Sequence, residues 1–126
     1  MIPDTQITPE VQELLNSREQ NYQDLMQKAK DWAADGYHGR ARSYRLSAAR
    51  LLGKHTKADW AAMKSAVAGV CPRCDEQSHH FDKDHIIPIY AGGSDGLDNI
   101  QPLCAPCNAQ KGPEAINWFK ARGHSI

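Results

Sequence analysis

The sequence lacks several features that would place it in a broad class of protein. No apolar run approaches the roughly 20 residues that a membrane-spanning helix needs. The first residues, MIPD, do not show the basic-then-apolar pattern of a signal peptide. The chain also contains no internal repeat and no low-complexity tract. We therefore expect a cytoplasmic protein without a membrane partner, in which thiols stay reduced.

The chain has no net charge, because fifteen lysines and arginines balance fifteen aspartates and glutamates. This balance hides an uneven distribution along the chain. Residues 38–64 contain seven basic residues and one acidic residue, a net charge of +6, whereas both flanking segments are net negative. Arginine side chains suit phosphate oxygens, although a run of charge is often only a solvated face. The candidate nucleic-acid contacts in this basic segment are Arg40, Arg42, Arg45, Arg50 and Lys54.

The first half of the chain has the pattern of α-helices. Thr8-Pro9-Glu10 is a strong helix start, and the helix is expected to end before Gly36. Further helices are expected over residues 42–52 and after Thr56. Residues 1–66 are thus predicted to be a helical N-terminal extension with a loose tail at residues 1–7. The apolar stripe of the first helix either packs on the helices that follow or forms a dimer seam, which leaves a monomer or a weak homodimer open.

All four cysteines lie in two Cys-x-x-Cys pairs in the second half of the chain: Cys71, Cys74, Cys104 and Cys107. Two such turns complete a tetrahedron of thiolates, the geometry of a structural zinc site. Disulfides and a thioredoxin-like redox pair are the alternatives. Zinc is favoured, because the chain shows no secretion signal and a redox site needs only one pair. Bound zinc is worth about 10–16 kcal/mol in small peptides, so it should decide whether this module folds.

The segment between the two cysteine pairs has its own pattern. Residues 86–90 (IIPIY) form a short apolar run that predicts a strand, with Pro88 at an edge or a bulge. Residues 91–96 (AGGSDG) form a turn, residues 100–103 predict a second strand, and Ala105-Pro106 opens a helix that contains Asn108. A last helix is expected from Pro113, with Ile116, Trp118 and Phe119 on its buried side. Residues 67–126 are thus predicted to be an α+β module.

This order of residues closely resembles that of the zinc-containing HNH endonucleases, over about a third of the chain. The matching segments are CPRC, DHIIP, GG, NIQPLC and CNAQK. Asn108 stands where the family name has its final histidine, so the chain resembles the H-N-N variant, as in stand-alone members from phages and bacteria. The resemblance implies a ββα-metal core and a DNA endonuclease in a bacterial cell or phage-infected host. Phage DNA-packaging proteins are further partners by family analogy.

The resemblance also implies roles for individual residues. Asp84 and Asn108 would hold one catalytic ion, Mg²⁺ or Mn²⁺ or another divalent cation. His85 would be the general base. Asn99 would orient the imidazole of His85 and lock the loop between the strands. Lys111 would contact a phosphate. Beside a nuclease module, phosphate contact also becomes the favoured role for the basic segment.

The chemistry of these residues is consistent with phosphodiester hydrolysis, which needs an activated water and stabilised phosphoryl charge. Histidine, with an ordinary pKa of about 6.5, is a plausible base. Adjacent strand residues point to opposite faces, so a bulge or the strand twist must bring Asp84 and His85 to one site. Each residue alone has an ordinary alternative as a turn, cap or surface residue. A non-catalytic zinc-dependent adaptor also stays open, as does RNA as the substrate.

Overall fold

The computed structural model describes residues 8–126, so the expectation for residues 1–7 lies outside the described residues. The chain forms two compact units, one ending at Leu51 and the other running from Leu52 to Ile126. The predicted domain boundary at residue 66 stays a prediction. Among the described residues, every helix is too short or too polar to cross a membrane.

The first unit is a pair of helices. Helix α1 runs over Pro9–Ala34 and is capped by the Thr8 hydroxyl, which accepts a hydrogen bond from the Val11 amide at 3.2 Å. Helix α2 runs over His38–Leu52 and starts four residues before its predicted start. The two helices meet where Arg40 stacks over the Trp32 ring, 4.6 Å from its centroid.

The apolar stripe of α1 is covered along only part of its length. Ala29 is buried and Leu25 and Trp32 are partly buried. Val11, Leu14 and Leu15 in the first turns are exposed. The predicted packing of the stripe therefore holds only for the second half of this helix.

The second unit begins with helix α3, Lys57–Ala66. Its predicted capping box is present, with Thr56 and Asp59 each accepting a hydrogen bond from the other's amide at 3.0 and 2.9 Å. Hydrogen bonds from the backbone and hydroxyl of Thr56 lower the pKa of the Asp59 carboxyl. Met63 on this helix and Val67 at its C-terminal cap are buried against Ile100 and Phe119, which packs α3 against the sheet.

Two antiparallel strands and a short helix follow. Strand β1 is Asp82–His85, strand β2 is Ile100–Leu103, and helix α4 is Ala105–Gln110. The register is continuous, with Asp84 opposite Gln101 and His85 opposite Ile100. The α+β class and the strand–strand–helix order are confirmed.

The predicted position of the first strand is wrong. Residues 86–90 leave the sheet after His85, and Ile89–Ala91 form one 3₁₀ turn. Pro88 lacks the N–H that a ladder needs, and Gly92, with φ 94°, turns the chain back. The more polar segment DKDH forms the strand because it pairs with the buried β2.

The last helix, α5, spans only Trp118–Ala121, and its start at Pro113 was predicted too early. Phe119 is buried, as expected, but Ile116 is 43 % exposed, so its predicted burial is wrong. The side chain of Gln101 accepts hydrogen bonds from the backbone amides of Trp118 and Phe119 at 2.8 and 3.2 Å. Arg122 donates to the carbonyl of Pro72 at 2.8 Å. Helix α5 thus braces strand β2 and the first cysteine turn.

Candidate active site and metal centre

The four cysteines converge on one point. Their sulfur atoms all lie within 4.8 Å of one another, and the Sγ atoms of Cys74 and Cys104 are 3.8 Å apart. A tetrahedron with Zn–S bonds of about 2.3 Å has edges of about 3.8 Å. A disulfide needs about 2.05 Å, and all four cysteines are free thiols. The geometry therefore fits a metal ion such as zinc and does not fit disulfides.

The thiols are electrostatically suited to a cation. Burial opposes ionisation of Cys71, but hydrogen bonds from the backbone of Cys104, Cys74 and Arg73 outweigh it and lower the pKa of that thiol to about 7. Burial, together with hydrogen bonding among the neighbouring thiols, raises the pKa of Cys104 to about 12. Four thiolates this close repel one another, so a divalent cation is what allows all of them to ionise.

Arg73 lies beside this cluster and adds positive charge. Its hydrogen bond to Cys107 raises the pKa of the guanidinium, and its Nε is 3.6 Å from Glu114 Oε1. A four-thiolate site with one divalent ion keeps a net negative charge, which a neighbouring arginine offsets.

Asp84 is the most deeply buried of the predicted catalytic-site residues. Its side chain is 4 % exposed, and Oδ2 accepts hydrogen bonds from Gln101 Nε2 and from Lys111 Nζ, each at 2.9 Å. Gln101 reaches it because the two residues are paired directly across the strands. The carboxylate therefore has one oxygen anchored and a fixed orientation.

His85 ends strand β1 and is more open, with a side chain that is 21 % exposed. Its Nε2 lies 2.8 Å from Asp95 Oδ1 in the turn after the strand. His85 is the last paired residue of the strand, and it lines the same cavity as Asp84. The register shows no bulge over the four paired positions, so the predicted alternative of a bulge is not what brings them together.

Asn99 closes the loop between the strands. Its Oδ1 accepts from the Ile87 amide at 2.9 Å, and its Nδ2 donates to the carbonyls of Ile87 and Ser94 at 3.0 and 2.7 Å. A side chain at Gly93 would overlap the Ile87 carbonyl, so only glycine fits there. Asn99 has the loop-locking contacts predicted for it, whereas the side-chain contact to the imidazole comes from Asp95.

Asn108 lies on α4, facing strand β1. The Nδ2 atom of Asn108 donates a hydrogen bond to Asp82 Oδ2 at 3.3 Å, and the amide oxygen of Asn108 takes no part in that bond. Asp82 and Asp84 share a strand face at the two-residue spacing, so Asn108 meets the face that carries Asp84.

One open cavity of about 320 Å³ brings together the predicted general base and the predicted ligands of the catalytic ion, whereas Asn99 is not among its lining residues. Asp84, His85 and Asn108 all line it, along with Lys111. Its other lining residues are Lys83, Pro88, Ile89, Tyr90 and Gly112. A carboxylate oxygen and an amide oxygen are ligands that Mg²⁺ and Mn²⁺ favour, so the residues present fit such an ion.

Lys111 has a different environment from the one predicted. Its side chain is 5 % exposed, and besides Asp84 its ammonium donates to the carbonyls of Glu114, His85 and Ile86 at 2.9, 3.4 and 3.4 Å. These contacts favour a role in which Lys111 holds the Asp84 carboxylate in place. The direct contact between Lys111 and a phosphate stays a prediction.

The predicted nucleic-acid contacts on the helical segment lie in both units. Arg40, Arg42, Arg45 and Arg50 are on α2, and of these Arg45 is partly buried. The guanidinium group of Arg40 also stacks on the Trp32 ring. Lys54 is exposed in the second unit. Their contact with nucleic acid stays a prediction.

Sequence reasoning missed Asp95 and Gln101. Asp95 lay inside a glycine-rich turn and carried no separate signal. Gln101 could have been found only with the register, because its importance comes from facing Asp84 across the sheet.

Comparison with protein families matches residues 71–114 to the HNH endonuclease family. Comparisons with curated proteins and with solved structures gave no match. The matched range contains the four clustered cysteines, both strands and the cavity residues Asp84, His85 and Asn108. Residues 71–114 therefore match the HNH endonuclease family in sequence, and they carry a four-cysteine cluster suited to a metal such as zinc.

Proposed function

We propose that this protein is a divalent-metal-dependent DNA endonuclease of the H-N-N type, which hydrolyses phosphodiester bonds. The observation that carries the proposal is the shared cavity lined by Asp84, His85 and Asn108 inside the HNH domain. A domain with this fold but without catalytic activity would need the cysteines and the core. It would not need these three polar side chains around one cavity.

In the proposed reaction, His85 accepts a proton from water, and the water oxygen attacks phosphorus. The bond from phosphorus to the 3′-oxygen breaks, which leaves a 5′-phosphate and a 3′-hydroxyl that takes its proton from solvent. Asp84 and Asn108 would hold Mg²⁺ or Mn²⁺. When bound, such an ion stabilises negative charge on the phosphoryl group and on the leaving oxygen.

The surrounding residues would keep this arrangement rigid. Gln101 and Lys111 fix the Asp84 carboxylate, and Asn99 fixes the loop that follows His85. The four-cysteine site holds α4, and therefore Asn108, against the strands. We propose that zinc acts here as a structural ion and takes no part in the chemistry.

DNA is the proposed substrate, with the arginines of α2 contributing phosphate contacts. One cavity of this kind serves one strand at a time, so nicking is the expected first product. A full break would then need a second visit or a second copy of the chain.

The test is plasmid nicking by zinc-loaded protein with Mg²⁺, with Mn²⁺ and with EDTA, with zinc content measured after each reaction. We expect nicked circles with either metal, and loss of nicking in EDTA while zinc is retained. Binding without cleavage in every metal would contradict the proposal and leave a zinc-dependent adaptor. Cleavage of single-stranded RNA but not of DNA would overturn the substrate assignment.

A further inference from the structure

The imidazole of His85 is paired with a buried carboxylate. His85 Nε2 lies 2.8 Å from Asp95 Oδ1, and the Asp95 side chain is 7 % exposed. A carboxylate at this distance accepts a hydrogen bond, so Nε2 carries the proton. In the neutral ring the unprotonated nitrogen is then Nδ1, the atom with a lone pair for a proton from water.

Asp95 is itself held by a second histidine. Its backbone carbonyl lies 2.7 Å from His55 Nδ1, and a carbonyl can only accept, so His55 donates through Nδ1. His55 Nε2 is then the acceptor, and the Lys83 ammonium lies 2.7 Å from it. The directions of the hydrogen bonds agree from Lys83 through His55 to Asp95, with each donor facing an acceptor.

The residues beside Asp95 are also constrained. The Ser94 carbonyl accepts from Asn99 Nδ2 at 2.7 Å, and the Ser94 hydroxyl accepts from the Gly96 amide at 3.1 Å. The turn is therefore fixed on both sides of Asp95, and His55, which precedes α3, connects it to a separate element of the fold. A carboxylate held this firmly has the rigidity that a residue needs to orient another side chain.

We propose that Asp95 is the positioning residue for His85. It selects the tautomer with the proton on Nε2 and aims the unprotonated nitrogen at the cavity, while His55 keeps Asp95 in place. The inference rests on the proposed function, because it gives His85 its orientation for that reaction. Asp95 does not touch the substrate in this account, so its loss should affect turnover and not DNA binding.

The first arm of the test is kinetic. Asp95→Asn should lower kcat for nicking by roughly 100-fold or more with little change in KM, because general-base catalysis contributes about 10²–10⁴-fold. Asp98→Asn is the matched control, since it makes the same change at an exposed position in the same loop between the strands, and it should nick like the wild type. His55→Gln keeps the carboxylate and should lose less activity than Asp95→Asn. A drop in thermal stability with unchanged kcat would reduce Asp95 to a structural residue and overturn the proposal.

The second arm does not depend on activity. Long-range ¹H–¹⁵N spectra of zinc-loaded, ¹⁵N-histidine protein report the tautomer of each ring, and His85→Ala assigns the His85 signals. The wild type and Asp98→Asn should show His85 protonated on Nε2, and Asp95→Asn should show a mixture. A wild-type ring protonated on Nδ1, or an unchanged ring in Asp95→Asn, overturns the proposal. If the wild type cuts no DNA, the proposed function fails, and the tautomers still decide whether Asp95 positions His85.

Discussion

The ammonium of Lys111 lies 2.9 Å from the Asp84 carboxylate, and both side chains are almost completely buried. Removing one member of a buried pair leaves an uncompensated charge, which costs about 3–5 kcal/mol. Lys111→Met should therefore lower the free energy of unfolding by about that amount, measured by urea denaturation of zinc-loaded protein.

Lys120→Met, at an exposed lysine on α5, is the control for Lys111→Met and should stay within about 0.5 kcal/mol of wild type. Combining Lys111→Met with Asp84→Asn should recover part of the loss, because the buried charge is then gone. Unchanged stability together with weaker DNA binding would instead support the phosphate contact predicted for Lys111.

The second prediction concerns the four-cysteine site. Cys104→Ser removes one ligand from a site whose zinc is worth about 10–16 kcal/mol, compared with about 5–15 kcal/mol for a whole domain. The second unit should lose bound zinc and unfold, which metal analysis and amide NMR spectra can measure. A variant that folds normally without zinc would show that the cluster is misassigned.

The pH dependence of zinc binding follows from the thiol pKa values. Cys104, with its pKa raised to about 12, is protonated at neutral pH without metal, and Cys71, with a pKa of about 7, is partly protonated. Zinc must displace these protons, so its apparent affinity should rise as pH increases from 6 to 8. Competition with a chelator of known affinity measures this, and an affinity independent of pH would contradict four-thiolate binding.

The basic face of α2 can be tested by its salt dependence. Replacing Arg42, Arg45 and Arg50 with alanine should weaken DNA binding and reduce the slope of log affinity against log salt by about 0.9 for each phosphate that the protein no longer neutralises. A matched triple variant at Arg18, Lys30 and Lys120 removes the same charge elsewhere and should change the slope less. An unchanged affinity and slope in the α2 variant would remove this helix from the interface.

The loop that carries Asp95 gives a steric prediction. Gly93→Ala places a methyl group against the Ile87 carbonyl and 2.8 Å from Asn99 Nδ2, so the loop must move. We expect a loss of about 1–3 kcal/mol in stability and a marked fall in nicking. Gly39→Ala meets nothing within 4 Å and serves as the control, with stability unchanged or higher. A Gly93→Ala variant with wild-type stability and nicking would show that this close approach is not needed.

The parts of the fold that sequence predicted well are those set by local chemistry. Thr8 and Thr56 mark helix starts through their own hydroxyl groups, and the cysteine pairs bring their own geometry. The cavity residues followed from a resemblance in which residue type and order are both distinctive. Such signals need no knowledge of the tertiary structure.

The errors arose where tertiary pairing overrides local preference. The run IIPIY is more strand-like than DKDH, yet DKDH forms the strand because it faces β2 in the register that Asp84 and Gln101 share. Lys111 looked like a surface cation, and its burial depends on a carboxylate 27 positions earlier in the chain. Asp95 and His55 are likewise 40 residues apart, so only the fold shows that they meet.

The most direct measurement is plasmid nicking by His85→Ala against the wild type, with both proteins carrying the same amount of zinc and giving the same folded amide spectrum. The account predicts that the wild type nicks DNA with Mg²⁺ or Mn²⁺ and that His85→Ala does not, because no group is left to take the proton from water. Nicking by His85→Ala at the wild-type rate would contradict the central claim that this histidine is the base of a metal-dependent nuclease.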